Sequence, residues 1–155
     1  MKKLIFLLAA VFALSITAAE AQKKSKDKEV AETEESLKLQ RLLASENFQF
    51  NPSAYTTRTG GNVNIIQYQY MRVRPGQLQI DMDKPGGSLK LDATTFELIK
   101  NEKSKDRWTM ILKGEANSSI ITFNIQVSLK SGNASVRVDS NREDSYTYRG
   151  KIAEN

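Results

Sequence analysis

The sequence predicts an α+β chain that is mainly β. One N-terminal amphipathic helix leads into an antiparallel meander of about seven to nine strands, forming a curved sheet or a partly closed barrel or sandwich. Two observations carry this expectation. Short runs in which apolar and polar residues alternate recur along the chain, with turn residues between them. Only one segment, about 30–46, carries a helical stripe, so too few helices exist to build the crossovers of a parallel sheet.

The chain opens on a processing signal. Lys2 and Lys3 precede an apolar run from Leu4 to Ile16, and Ala19-Glu20-Ala21 supplies the small residues that a signal peptidase reads. That run is shorter than the roughly 20 residues that span a bilayer. Residues 1–21 are therefore expected to be a cleaved signal peptide, with no transmembrane anchor left afterwards. Residues 22–29 (Q-K-K-S-K-D-K-E) are charged and contain nothing to bury, which predicts a flexible lead-in. The remainder, 30–155, is expected to form a single β-rich domain beginning with the helix. Leu39, Leu42 and Leu43 share one face of that helix, and Glu34 with Lys38 makes an i,i+4 pair in the favourable order. The helix is expected to end near Asn47.

The strands follow in order. Phe48 and Phe50 alternate, and Pro52 is expected to stop them. Gly60-Gly61 turns into a long run, Asn62 to Val73, whose apolar face switches midway. Val63, Ile65, Met71 and Val73 lie on one side and Ile66, Tyr68 and Tyr70 on the other, which predicts a bulge or an edge. Pro75-Gly76 is a turn before Leu78, Ile80 and Met82. Asp83 to Gly87 reads as a loose loop, followed by Leu89 and Leu91, then Phe96 and Leu98, then a charged turn over Asn101–Asp106. Trp108, Met110 and Leu112 alternate up to Gly114.

The cleanest alternation is Ile120–Leu129. Ile121, Phe123, Ile125, Val127 and Leu129 occupy every second position, with Thr122, Asn124, Gln126 and Ser128 between them. Side chains of a strand point alternately to its two faces, so this segment has one apolar and one uncharged polar face. Lys130 to Asn133 makes a hairpin connection to Ala134, Val136 and Val138. The segment is thus the middle of a three-strand meander. Asn141–Asp144 then turns into the last strand, with Tyr146, Tyr148 and Ile152.

Composition excludes much chemistry. The chain has no histidine and no cysteine, which removes disulfides, thiolate metal sites, Ser-His-Asp triads and Cys-His pairs. No catalytic residue, cofactor or metal ligand is assigned. Asp81 and Asp83 sit two apart before a glycine pair, but Lys84 interrupts the spacing of a calcium loop and no glutamate closes it. The net charge of +5 is mild, and export argues against nucleic acid as the partner.

Two sets of side chains remain as candidates for binding. Tyr68, Tyr70, Tyr146 and Tyr148 would form an aromatic surface able to stack on flat ligands, although ordinary cross-strand packing explains them more simply. Arg149 and Lys151 share the face opposite Tyr148 and Ile152, where they would either meet an anion or protect an edge strand. The candidate ligand surface is therefore Tyr68, Tyr70, Tyr146, Tyr148 and Arg149.

Several short motifs together resemble an exported family of Bacteroidetes, domain of unknown function 4251. They are the signal peptide, the short charged helix, Asn47-Phe48-Gln49-Phe50, Ser131 to Val138, and Ser140-Asn141-Arg142 through Tyr146, Tyr148 and Gly150. The family tends to carry an aromatic L-P-Y-F-G-type segment where this chain has Met82-Asp83-Lys84-Pro85-Gly86-Gly87, so a role for those aromatics does not transfer. The resemblance implies an envelope location and a β-rich domain with an N-terminal helix, and no activity. The expected function is an exported, non-enzymatic binding or assembly module, periplasmic or secreted. Its partner would be a protein, glycan or apolar ligand of the cell envelope. The alternative is a periplasmic carrier holding an apolar ligand between curved sheet and helix.

Overall fold

The structure is a computed structural model and describes residues 34–57, 59–93, 96–116 and 118–155. The expected signal peptide, the lead-in and the first helical residues lie outside the described residues. Helix α1 covers 34–44 and is followed by ten strands. These are β1 (Phe48–Thr56), β2 (Asn62–Asn64), β3 (Tyr70–Arg74), β4 (Gln77–Lys84), β5 (Gly87–Ala93), β6 (Glu97–Ser104), β7 (Arg107–Ala116), β8 (Ser119–Ser128), β9 (Asn133–Ser140) and β10 (Tyr146–Ala153). They form one antiparallel sheet in the order β5-β4-β3-β1-β10-β9-β8-β7-β6, with β2 also paired to β1. The sheet does not close, because its edge strands β5 and β6 do not pair with each other.

The predicted meander is present in register. Ile125 of β8 faces Met110 of β7 and Val136 of β9, and Phe123 faces Leu112 and Val138. Ile121, Phe123, Ile125, Val127 and Leu129 are all buried in the core, as the alternation requires. The same core takes Leu43 of α1, with Leu39 and Leu42 packed against it. The helix is fixed at its flanks by Lys103 Nζ donating to Gln40 Oε1 (2.7 Å) and by an ion pair between Lys38 and Glu154 (2.8 Å).

Strand boundaries differ from expectation in four places. Pro52 does not end β1. The strand runs on to Thr56, and Pro52 lies opposite Gly150 where the register shifts between Pro52 and Ala54. A bulge is one of the few sheet positions at which a residue without an N–H is tolerated. The run Asn62–Val73 is two strands, β2 and β3, lying along the same side of β1. Tyr55 pairs with Val63 and Phe50 with Met71, so six residues of β1 (50–55) are matched by nine on the other side (63–71). The excess is looped out, which explains the apparent switch of face. Asp83–Gly87 is no loose loop, since Lys84 pairs with Gly87 across a tight turn in which Gly86 has φ 76°. Asn101–Ser104 belongs to β6 rather than to a turn. Its charges are tolerated because β6 is a sheet edge, and Asn101 Oδ1 accepts the Trp108 indole N–H (2.5 Å).

The sheet bends where β1 meets β10. A Cβ on Gly150 would overlap the backbone carbonyl of Asn51, so only glycine permits this approach. The bend brings the turn after β4 over β10. Tyr148 donates its hydroxyl to the Asp83 carbonyl (2.7 Å), and Lys84 forms an ion pair with Glu143. Leu91 of β5 lies over Gly114 of β7, 3.9 Å from where a Cβ on that glycine would stand, so the two halves of one sheet enclose a common core.

Candidate functional site

The four candidate tyrosines do not share a surface. Tyr146 and Tyr148 point inward from β10 and are buried. Their rings meet edge to face with centroids 5.5 Å apart, and Tyr148 packs the same way on Tyr55 at 6.0 Å. Burial pushes the Tyr146 phenol up to about 12, aided by the charge of Glu143. Burial likewise drives the Tyr148 phenol upward, with Tyr146 adding to the effect. Both are core residues and present no open surface.

Tyr68 and Tyr70 lie on the outside. Tyr68 belongs to the segment looped out between β2 and β3, and it is 71% exposed beside Ile66 at 96%. Exposure of a large side chain usually means freedom, yet Tyr68 is held. Its hydroxyl accepts from Gln49 Nε2 (3.0 Å) and from an Arg72 guanidinium nitrogen (3.3 Å). Arg72 also donates through Nε to Gln49 Oε1 (2.7 Å), and its guanidinium carbon lies 4.1 Å from the centre of the Tyr70 ring. The Tyr68 and Tyr70 rings are 5.7 Å apart and tilted by 40°. Gln69 between them turns inward and exchanges two hydrogen bonds with Asp83, donating to its carboxylate (2.6 Å) and accepting its backbone N–H (2.9 Å). That reciprocal clasp pins the loop at its end, where it enters β3.

Arg149 sits on the same outer side of the sheet, one strand beyond β1. Its strand β10 is paired on both sides, by β1 and β9, so protection of an exposed edge does not account for it. A groove of about 420 Å³ crosses the outer face here, lined by Ser53, Gln126, Ser128, Asn133, Ser135 and the two arginines Arg107 and Arg149, with Gly150. Arg107 reaches Gln126 Oε1 at 3.4 Å. The sequence reading passed over Arg107, Ser53, Ser128 and Ser135. Their convergence depends on cross-strand register, although the uncharged polar face of β8 was a visible signal of it. Asp81 and Asp83 are separately engaged, Asp81 by Lys90 (3.6 Å) and Asp83 by Gln69.

An open, strongly bent antiparallel sheet around one core, with a helix packed against that core, defines this as a mainly-β domain whose polar outer face carries the candidate sites. The chain belongs to the family described as domain of unknown function (DUF4251), whose model matches residues 30–152. It is similar to the crystal structure of a DUF4251 family protein from Bacteroides eggerthii, with a TM-score of 0.63 and 14% identity over 80% of this chain and 88% of that one. That likeness shows the fold. No curated protein matches the chain.

Proposed function

We propose that the chain acts as an exported, non-enzymatic binding module of the cell envelope, using the outer surface around Tyr68 and Tyr70. One observation carries this reading. Tyr68 is 71% exposed and yet fixed by two hydrogen bonds, so its ring is arranged before any ligand arrives. Ordering a free side chain on binding costs about 0.5–1.5 kcal/mol, and a ring already held avoids that cost. Tyrosine combines a flat apolar face with a polar tip, which suits a sugar ring or a partner protein's surface. The adjoining Ile66 adds apolar area at the same place.

Export is supported by the basic, apolar and small-residue order of residues 1–21. The non-enzymatic reading is supported by the absence of histidine and cysteine from the sequence. No observation among the described residues favours the apolar carrier, because Ile121, Phe123, Ile125 and Val127 pack into the same core as Leu43.

The test is photo-crosslinking in intact envelopes from a probe placed at Gln67, comparing the chain with its Tyr68→Ala variant. One discrete adduct that depends on Tyr68 is expected, on a protein beginning at Gln22 by intact mass. An adduct that persists without Tyr68, or a protein retained whole in the cytoplasm, overturns the reading.

A further inference from the structure

We infer that the groove across β10, β9, β8 and β7 is a second binding site, independent of the tyrosines, and that it takes an acidic oligosaccharide. Cross-strand register brings its residues together. Arg149 lies opposite Ser135, and Ser135 opposite Gln126, while Asn133 and Ser128 flank the next row and Ser128 lies opposite Arg107. With neighbouring strands about 4.8 Å apart and Arg107 offset by two residues along β7, the backbones of Arg149 and Arg107 are separated by roughly 16 Å. Between them the exposed side chains of the floor are hydroxyls and amides without a carboxylate, since Val127 and Ala134, which also line the groove, are buried in the core.

The charges are left available. Arg137 on the same face of β9 is neutralised by Asp139, with both carboxylate oxygens accepting from its Nε (2.9 and 3.0 Å). Arg149 has no such partner among the described residues, and Arg107 has only the long contact with Gln126. Asp106, next to Arg107 in sequence, is held by Lys130 at 2.8 Å. The groove is also shaped by the backbone. Ser53 is the extra residue of the β1 bulge and donates its hydroxyl to the Arg149 carbonyl (3.1 Å), while Gly150 removes the side chain that would fill the dent. Bulges of this kind re-aim side chains.

The chemistry selects among occupants. Strands β7 to β10 are paired on both sides, so no peptide can add to them as a strand. The floor offers donors and acceptors for hydroxyls but no apolar pocket for a peptide side chain. Two guanidinium groups at opposite ends then match carboxylates spaced along a sugar chain, each as a bidentate pair.

Isothermal titration of the purified protein with a short oligogalacturonate tests this. Saturable binding is expected, weakening at least tenfold as salt is raised, with no heat from a neutral glucan of equal length. Arg149→Gln and Arg107→Gln should each reduce affinity about tenfold without moving the melting temperature, and Arg149→Lys should restore only part of it. Arg142→Gln and Arg74→Gln, both exposed and outside the groove, are surface controls and should bind as the parent does. The inference is overturned by absence of saturable binding, by unchanged affinity in Arg149→Gln, by loss in either control, or by equal binding of an oligoglutamate of the same charge.

Discussion

Two pairs of tyrosines in this chain share one local pattern and have opposite fates. Tyr68 and Tyr70 are spaced two apart, as are Tyr146 and Tyr148, and in each pair the rings lie within 6 Å of one another. The second pair is in a strand flanked on both sides, and its alternation points into the core. The first straddles the end of a strand: Tyr70 begins β3, whereas Tyr68 is still in the segment that β1 cannot match. Period-two spacing fixes that two residues share a face, but not which face. The partner strands decide that, and with it whether a tyrosine stabilises the fold or is left to meet a ligand.

The largest expected difference between the pairs is in stability. Tyr148 is fully buried, touching Tyr55 and Tyr146, and bonds Asp83 on the far half of the sheet. Tyr148→Ala should therefore cost about 3–5 kcal/mol, as large-to-small changes of aromatic core residues do. Tyr148→Phe keeps the packing but leaves the Asp83 carbonyl without its donor, and should cost about 1–3 kcal/mol. Urea midpoints of the two variants measure this directly. Equal losses in both would place the whole contribution in the hydrogen bond and none in the ring.

A second contrast appears in alkali. A phenol buried in the native state holds its proton to higher pH than the same phenol in the unfolded chain. Tyr146 is raised from 10.0 to about 12, and Tyr148 is raised as well. Above pH 10 the unfolded chain loses these protons while the native chain keeps them, so the native state binds more protons and stability falls as pH rises. The contribution is complete below pH 10 and is lost on the way to about 12. Tyr146→Phe should flatten the fall in urea midpoint over that range. An unaltered slope in this variant would mean that other groups control alkaline unfolding.

Much of this architecture was legible because it depends on local pattern. The β7–β8–β9 meander and its inward row follow from alternation and short turns, and Leu43 with Leu39 and Leu42 follows from helical spacing. What could not be read depends on partners distant in sequence. Pro52 survives in a strand because Gly150, far along the chain, lets β10 approach its bulge. The surplus between β2 and β3 exists only relative to β1, so nothing local marks Ile66 and Tyr68 as expelled. The same holds for the candidate site. Arg149 was identifiable, but Arg107, Ser135 and Gln126 join it only through the register of four strands.

The smallest expected effect is the most informative about Tyr68. Its ring covers little of the core, and its hydroxyl is a shared acceptor rather than a sole partner. If it is removed, Gln49 keeps its bonds with Arg72 and Asn51, and Arg72 keeps both Gln49 and the face of Tyr70. Tyr68→Ala should therefore change stability by no more than about 0.5 kcal/mol, the usual range for surface substitutions. Thermal melts of this variant beside Tyr148→Ala would place the two pairs at opposite ends of one scale. A loss of about 2 kcal/mol at Tyr68 would mean that its hydrogen bonds serve to anchor the loop. An exposed ring that the fold requires has no need of a ligand to explain it, and the tyrosine surface would then lose its claim to be a binding site.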